Sequence, residues 1–142
     1  MNQDRKALVL IVDPQVGSRH WLWRMLNHAF GVIEASSASG ARRWIAERPD
    51  IDAMIVEDEL PDARGSDLIR ELVQSRHPAA SRSILIASDW RHVMLSGINV
   101  VSRGEVRSIA GKLVRLVSDG LVQDAIVGQR ARAVPPTTVN FS

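Results

Sequence analysis

A chain of 142 residues suffices for one domain with a single core, and its 45% hydrophobic and 24% charged residues fit a soluble globular protein. The absence of cysteine excludes a disulfide framework and a thiolate metal site, as suits a cytoplasmic location. A net charge of +2 is too small to indicate nucleic acid, and no apolar run is long enough for a membrane span or a signal-peptide core.

Short apolar runs alternate with amphipathic stretches, the pattern of βα units around a parallel sheet. Residues Ala7–Val12 read as a strand buried on both faces. Val16–Phe30 reads as a helix, with Trp21, Leu22, Met25 and Leu26 on its buried side and Trp23 pointing largely away. Val32–Ala35 is a short second strand. Ser37 can cap a helix running to about Glu47, where Pro49 stops it, and Trp44 on that helix is expected to cover the core. Ala53–Val56 is a third strand, and Asp67–Gln74 lies in a third helix that ends before Pro78. Ser83–Ala87 and Ile98–Val101 complete five strands. Ser102-Arg103-Gly104-Glu105 has capping-box spacing, so the last helix is expected to begin there and to bury Val106, Ile109, Ala110, Leu113 and Val117. From Gly128 apolar periodicity ends, which divides the chain into a domain over 1–127 and a disordered tail or linker over 128–142.

Two runs carry the functional signal. The first strand ends in Leu8-Val9-Leu10-Ile11-Val12-Asp13, with Arg19 six residues beyond. The third ends in Met54-Ile55-Val56-Glu57-Asp58-Glu59-Leu60-Pro61, with Gly65 eight residues after Glu57. Over roughly Ala7 to Ser118 the chain resembles the receiver domain of two-component response regulators. That resemblance implies an α/β, flavodoxin-like five-stranded parallel sheet of order 2-1-3-4-5, with helices on both faces. Only nine residues, Asp89 to Gly97, join the fourth strand to the fifth. A parallel crossover normally needs a dozen or more, so the fourth helix is expected to be missing or reduced to about one turn.

Receivers hold magnesium with three acidic groups, one of which accepts a phosphoryl group, and sense it with a hydroxyl and a lysine. Asp13 matches the first acid, but Pro14 takes the place of the second. The acceptor position holds Glu57, whose extra methylene moves the carboxylate by about 1.5 Å; a misplacement of that order can cost about a hundredfold in rate. Asp58 is the rival acceptor, reached by a one-residue shift. Asp13 and Glu59 form the residual acidic pocket, and Ser88 keeps the hydroxyl position. Ser102 replaces the lysine, with Arg103 beside it.

The resemblance therefore implies an atypical receiver, a pseudo-receiver of the phosphorelay systems. It would not be an enzyme, would work by protein–protein contacts, and would have no cofactor and weak or absent magnesium binding. The alternative is a receiver that takes phosphate from a histidine kinase on Glu57 or Asp58. A flavin- or nucleotide-binding domain is disfavoured because Pro14-Gln15-Val16-Gly17-Ser18-Arg19 is poor in the small residues that cradle phosphate. Direct DNA binding lacks a recognition-helix motif. The expected partners are a histidine kinase or an output protein, and homodimerisation is open. Residues 61–142 hold eleven Lys/Arg against seven Asp/Glu. Trp90, Arg103, Arg107, Leu116 and Leu121 are therefore expected on an interaction surface of apolar anchors rimmed by arginine.

Overall fold

The computed structural model describes residues 6–88 and 98–118. Within them the order is β1 (Leu8–Val12), α1 (Val16–Leu26), β2 (Gly31–Ala35), α2 (Ala38–Glu47), β3 (Ala53–Glu57), α3 (Gly65–Gln74), β4 (Ser83–Ala87) and β5 (Asn99–Ser102). A C-terminal helix over residues 109–118 follows. All neighbouring strands are parallel, in the order β2-β1-β3-β4-β5. The expected sheet and strand order are what the chain adopts.

The three inner strands are buried along their whole length, while β2 and β5 at the edges are only partly covered. Because side chains alternate along a strand, the sheet divides its apolar residues between two cores. Leu8, Leu10, Val12, Met54, Val56 and Leu85 pack with Leu68 and Leu72 of α3 and Ala41 of α2. Val9, Ile11, Ile55, Ile84, Ile86 and Val101 pack with Leu22 and Leu26 of α1 and with Ile109, Leu113 and Val117 of the C-terminal helix.

Helix boundaries follow from local hydrogen bonds. Ser37 caps α2 by accepting the Gly40 N–H at 3.1 Å, which leaves fewer open donors in its first turn. Helix α1 ends at Leu26 rather than continuing to Phe30. Phe30 turns into the second core, and the Gly31 N–H must reach Ala7 O at 2.9 Å to start β2.

Two further sequence expectations fail. Trp21 is 44% exposed, so the buried stripe of α1 consists of Leu22 and Leu26, with Met25 packed beside them. The residues after Ser102 do not form a capping box. They make a 3-10 segment over Arg103–Ser108, broken by non-helical Glu105 (φ −109°, ψ 15°), and the Ser102 side chain makes no capping bond. Trp44 is partly buried against the first core and donates its indole N–H to Glu34 O at 2.8 Å. The reduced fourth helix, Trp90, Leu121 and the boundary at 127/128 all fall outside the described residues.

Candidate functional site

Strand parity decides what meets at the carboxyl end of the sheet. Asp13 lies two residues beyond Ile11, Glu57 two beyond Ile55, Ser88 two beyond Ile86 and Arg103 two beyond Val101. Those four apolar residues share the second core, so their successors emerge on the α1 side. Asp58 and Ser102 have the opposite parity. The line of side chains at the pocket is thus set by the same alternation that sorts the two cores.

Asp13 and Glu57 are each only 4% exposed. The Asp13 carboxylate accepts the Gln15 N–H on Oδ1 at 2.8 Å, which fixes the turn into α1. Arg19 donates to the Asp13 backbone carbonyl at 2.7 Å and lies 3.5 Å from Glu34, so its charge is anchored at the edge of the site. The Glu57 carboxylate is paired with the Arg103 guanidinium through Oε1 and Nη2. Arg103 Nε donates to Ser88 Oγ at 2.6 Å. One planar guanidinium therefore bridges the ends of β3 and β4 from the start of the segment after β5, using two nitrogens of its rigid fork on two different residues.

Burial dominates the ionisation of both acids. It pushes the Asp13 carboxyl above its ordinary range, against the opposing pull of the Gln15 N–H, Arg103 and Arg19. It raises Glu57 in the same way, with the negative charge of Asp13 adding to the rise and Arg103 and the Glu59 N–H opposing it. Arg103 acting on both carboxylates, with Arg19 acting on Asp13, is not enough to cancel the cost of burying the pair.

The other sequence candidates lie elsewhere. Asp58 is buried on the far side of β3, where Oδ1 accepts the Ser66 N–H at 3.1 Å and Oδ2 sits 3.5 Å from Arg64. Glu59 is exposed and its backbone bridges to Arg64, outside the pocket. Ser102 is partly buried at the end of β5, Arg107 is exposed, and Leu116 is half-buried against the second core. Arg103, expected on an interaction surface from the sequence, keeps an exposed side chain while its guanidinium reaches the pocket to pair with Glu57. The signal for this was its spacing of two from Val101, the last buried residue of β5.

The donor set does not fit magnesium. Magnesium takes one or two carboxylates and fills its other octahedral positions with water or phosphate oxygens; here Arg103 already occupies Glu57, which leaves Asp13, and among the described residues no three His, Asp or Glu side chains converge as metal ligands.

Similar proteins point the same way as the fold. No protein-family model matches the chain. It is 28% identical over 96 residues to the hydrogenase transcriptional regulatory protein HoxA of Cupriavidus necator, which covers 68% of this chain and 20% of that protein. The chain thus spans about a fifth of that relative's length. Among solved structures, the receiver domain of a LuxO repressor protein from Vibrio parahaemolyticus superposes with a TM-score of 0.74 at 14% identity, over 85% of this chain and 97% of that one. A response regulator receiver protein from Pseudomonas putida gives a TM-score of 0.65 at 26% identity, over 80% and 97%. A CheY-like receiver from Methanospirillum hungatei gives 0.72 at 17% identity, over 83% and 98%. The fold is that of a response-regulator receiver domain. Among the described residues no helix is long and apolar enough to cross a membrane.

Proposed function

We propose that this chain is a receiver-type signalling module that acts through contacts with other proteins and does not run an aspartate phosphorylation cycle. The observation that carries this reading is the Arg103 bridge between Glu57 and Ser88. In a working receiver, the incoming phosphoryl group needs the space between acceptor and hydroxyl. Here a guanidinium fills it and neutralises the glutamate in advance. Pro14 removes a metal-ligating acid, and Glu57 carries its carboxylate one methylene too far for the in-line geometry that phosphoryl transfer depends on.

Asp58 is a poor substitute acceptor. Its carboxylate fastens the start of α3 through the Ser66 N–H and faces away from Ser88. The reading assigns the chain a binding role rather than catalytic turnover, in the cytoplasm, with a histidine kinase, an output protein or a second copy of itself as partner. Exposed Arg107 and half-buried Leu116 lie on the described part of the surface proposed for that contact.

Incubating the chain with acetyl phosphate and magnesium, followed by intact-mass measurement, tests the reading. The mass is expected to stay unchanged. Gain of one phosphoryl group that is lost in Glu57→Gln or Asp58→Asn would overturn it.

A further inference from the structure

Next to the Arg103 bridge lies a cavity of about 370 Å³, within the size range of small-molecule sites. Its two sides differ in chemistry. The polar side is formed by Asp13, Glu57 and Arg103, and the apolar side by Trp21, Leu22, Ile86 and Val106. Trp21 is 44% exposed although it is the largest side chain on this wall. At Gly17, which also lines the cavity, an added side-chain carbon would meet no atom within 4 Å, so the rim is open there.

The two carboxylates in this cavity are unequal. Arg103 is spent on Glu57. Asp13 is 4% exposed, its Oδ1 holds the Gln15 N–H, and its Oδ2, which takes no donor from the described residues, stays within reach of solvent. A nine-tenths-buried carboxylate with one solvent-reachable oxygen lines the same open cavity as a half-exposed indole. That juxtaposition suits a cation with N–H donors and an apolar body: the donors satisfy the carboxylate, and the indole adds cation–π attraction. A bare metal ion finds too few oxygens here, and an anion meets two carboxylates against a single guanidinium that is already paired.

We propose that this cavity binds a small organic ammonium ion, its N–H groups on Asp13 and its apolar body against Trp21, Leu22 and Val106. The proposal rests on the phosphorylation-independent reading in one respect: both need Arg103 to remain on Glu57. A bound ammonium would also offset the burial that raises the Asp13 carboxyl, giving the module a chemical input in place of phosphate.

The test titrates the full chain with benzylamine, with benzyl alcohol and benzoate as neutral and anionic matches. Thermal melting and the indole N–H resonance of Trp21, assigned with Trp21→Phe, are followed. Benzylamine is expected to raise the melting temperature and to shift that resonance saturably. Benzyl alcohol and benzoate should bind at least about tenfold more weakly, a difference of about 1.4 kcal/mol. Asp13→Asn removes the charge and Gly17→Leu fills the rim, and each should weaken benzylamine by a similar factor. The proposal is overturned if benzylamine does not saturate, if benzyl alcohol or benzoate binds as tightly, or if both variants bind like wild type. Any of these results together with an unchanged mass after acetyl phosphate sinks the ligand proposal alone. A phosphoryl gain would instead sink the reading on which it rests.

Discussion

On the α2/α3 side of the sheet, acidic groups are used up in fastening the chain to itself. Asp58 holds the Ser66 N–H, and Asp62 holds the N–H groups of Ala38 and Ser39 at 2.9 Å each, which ties the loop after β3 to the start of α2. Those two bonds keep the Asp62 carboxyl below its ordinary range. On the α1 side, Asp13 and Glu57 are buried above theirs, with one arginine between them. Adjacent residues, Glu57 and Asp58, thus send their carboxylates to opposite faces of the sheet. One face uses charge to build the fold, and the other holds charge against the fold's preference, as sites for binding or chemistry do.

The sharpest way to break this contrast lies at the point where the two faces touch. Gly65 starts α3 with its N–H on Asp58 O at 2.8 Å, and an added Cβ would stand 2.3 Å from Glu57 O and 2.8 Å from Val56 Cγ1. Backbone cannot give way there as a flexible side chain would. Gly65→Ala is expected to cost about 3 kcal/mol, the upper end for overpacking, and chemical denaturation measures it. Asp58→Ala comes next. It strands the buried Ser66 N–H and frees Arg64, and an unmade bond of this kind costs about 1–3 kcal/mol. The same denaturation midpoints check it, and a loss below about 0.5 kcal/mol would show that Asp58 is no structural anchor.

Much of this division was legible in the sequence. The strands, their parallel order and the placement of Asp13 and Glu57 at strand ends followed from apolar run length and from resemblance. The side of the sheet taken by each acid was fixed by parity once the strands were set. Two local signals misled. Ser102 and Glu105 have capping-box spacing, but Arg103 is drawn inward to Glu57, and the segment tightens into a 3-10 turn with Glu105 out of helical geometry. Trp21 lies within the apolar stripe of α1, yet Leu22 and Leu26 fill the core and leave it on the cavity wall. A periodic pattern shows which residues are apolar; it does not show which of them find room in the core.

The Arg103 bridge can be removed without touching the other face. Arg103→Ala leaves Glu57 buried without its cation. Because the arginine side chain is 46% exposed, solvent already screens the pair. A loss of about 1 kcal/mol is expected near neutral pH, smaller than that for a fully buried pair. Glu57 then loses its main opposing charge, so its carboxyl should rise further, and the loss in stability should shrink in acid as Glu57 takes up a proton. Carboxyl NMR titration of Glu57 in both proteins checks the direction.

The smallest effect has the opposite sign. A carboxyl whose range is raised by folding binds its proton more tightly in the native state, so it favours the fold at low pH. That advantage is lost as pH rises from the ordinary aspartate value of about 3.8 through the raised native value of Asp13. Above that window wild type holds a charge that burial penalises. Asp13→Asn keeps an oxygen for the Gln15 N–H and removes the charge. It should therefore stabilise the chain at neutral pH by about 0.5–1 kcal/mol, in the range of other charge-relieving substitutions. At pH below the window the two proteins should converge. Melting curves collected from acid to neutral pH decide the matter: a variant less stable than wild type at neutral pH would mean that the Asp13 charge is paired well enough to support the fold, and the contrast between the two faces would not hold.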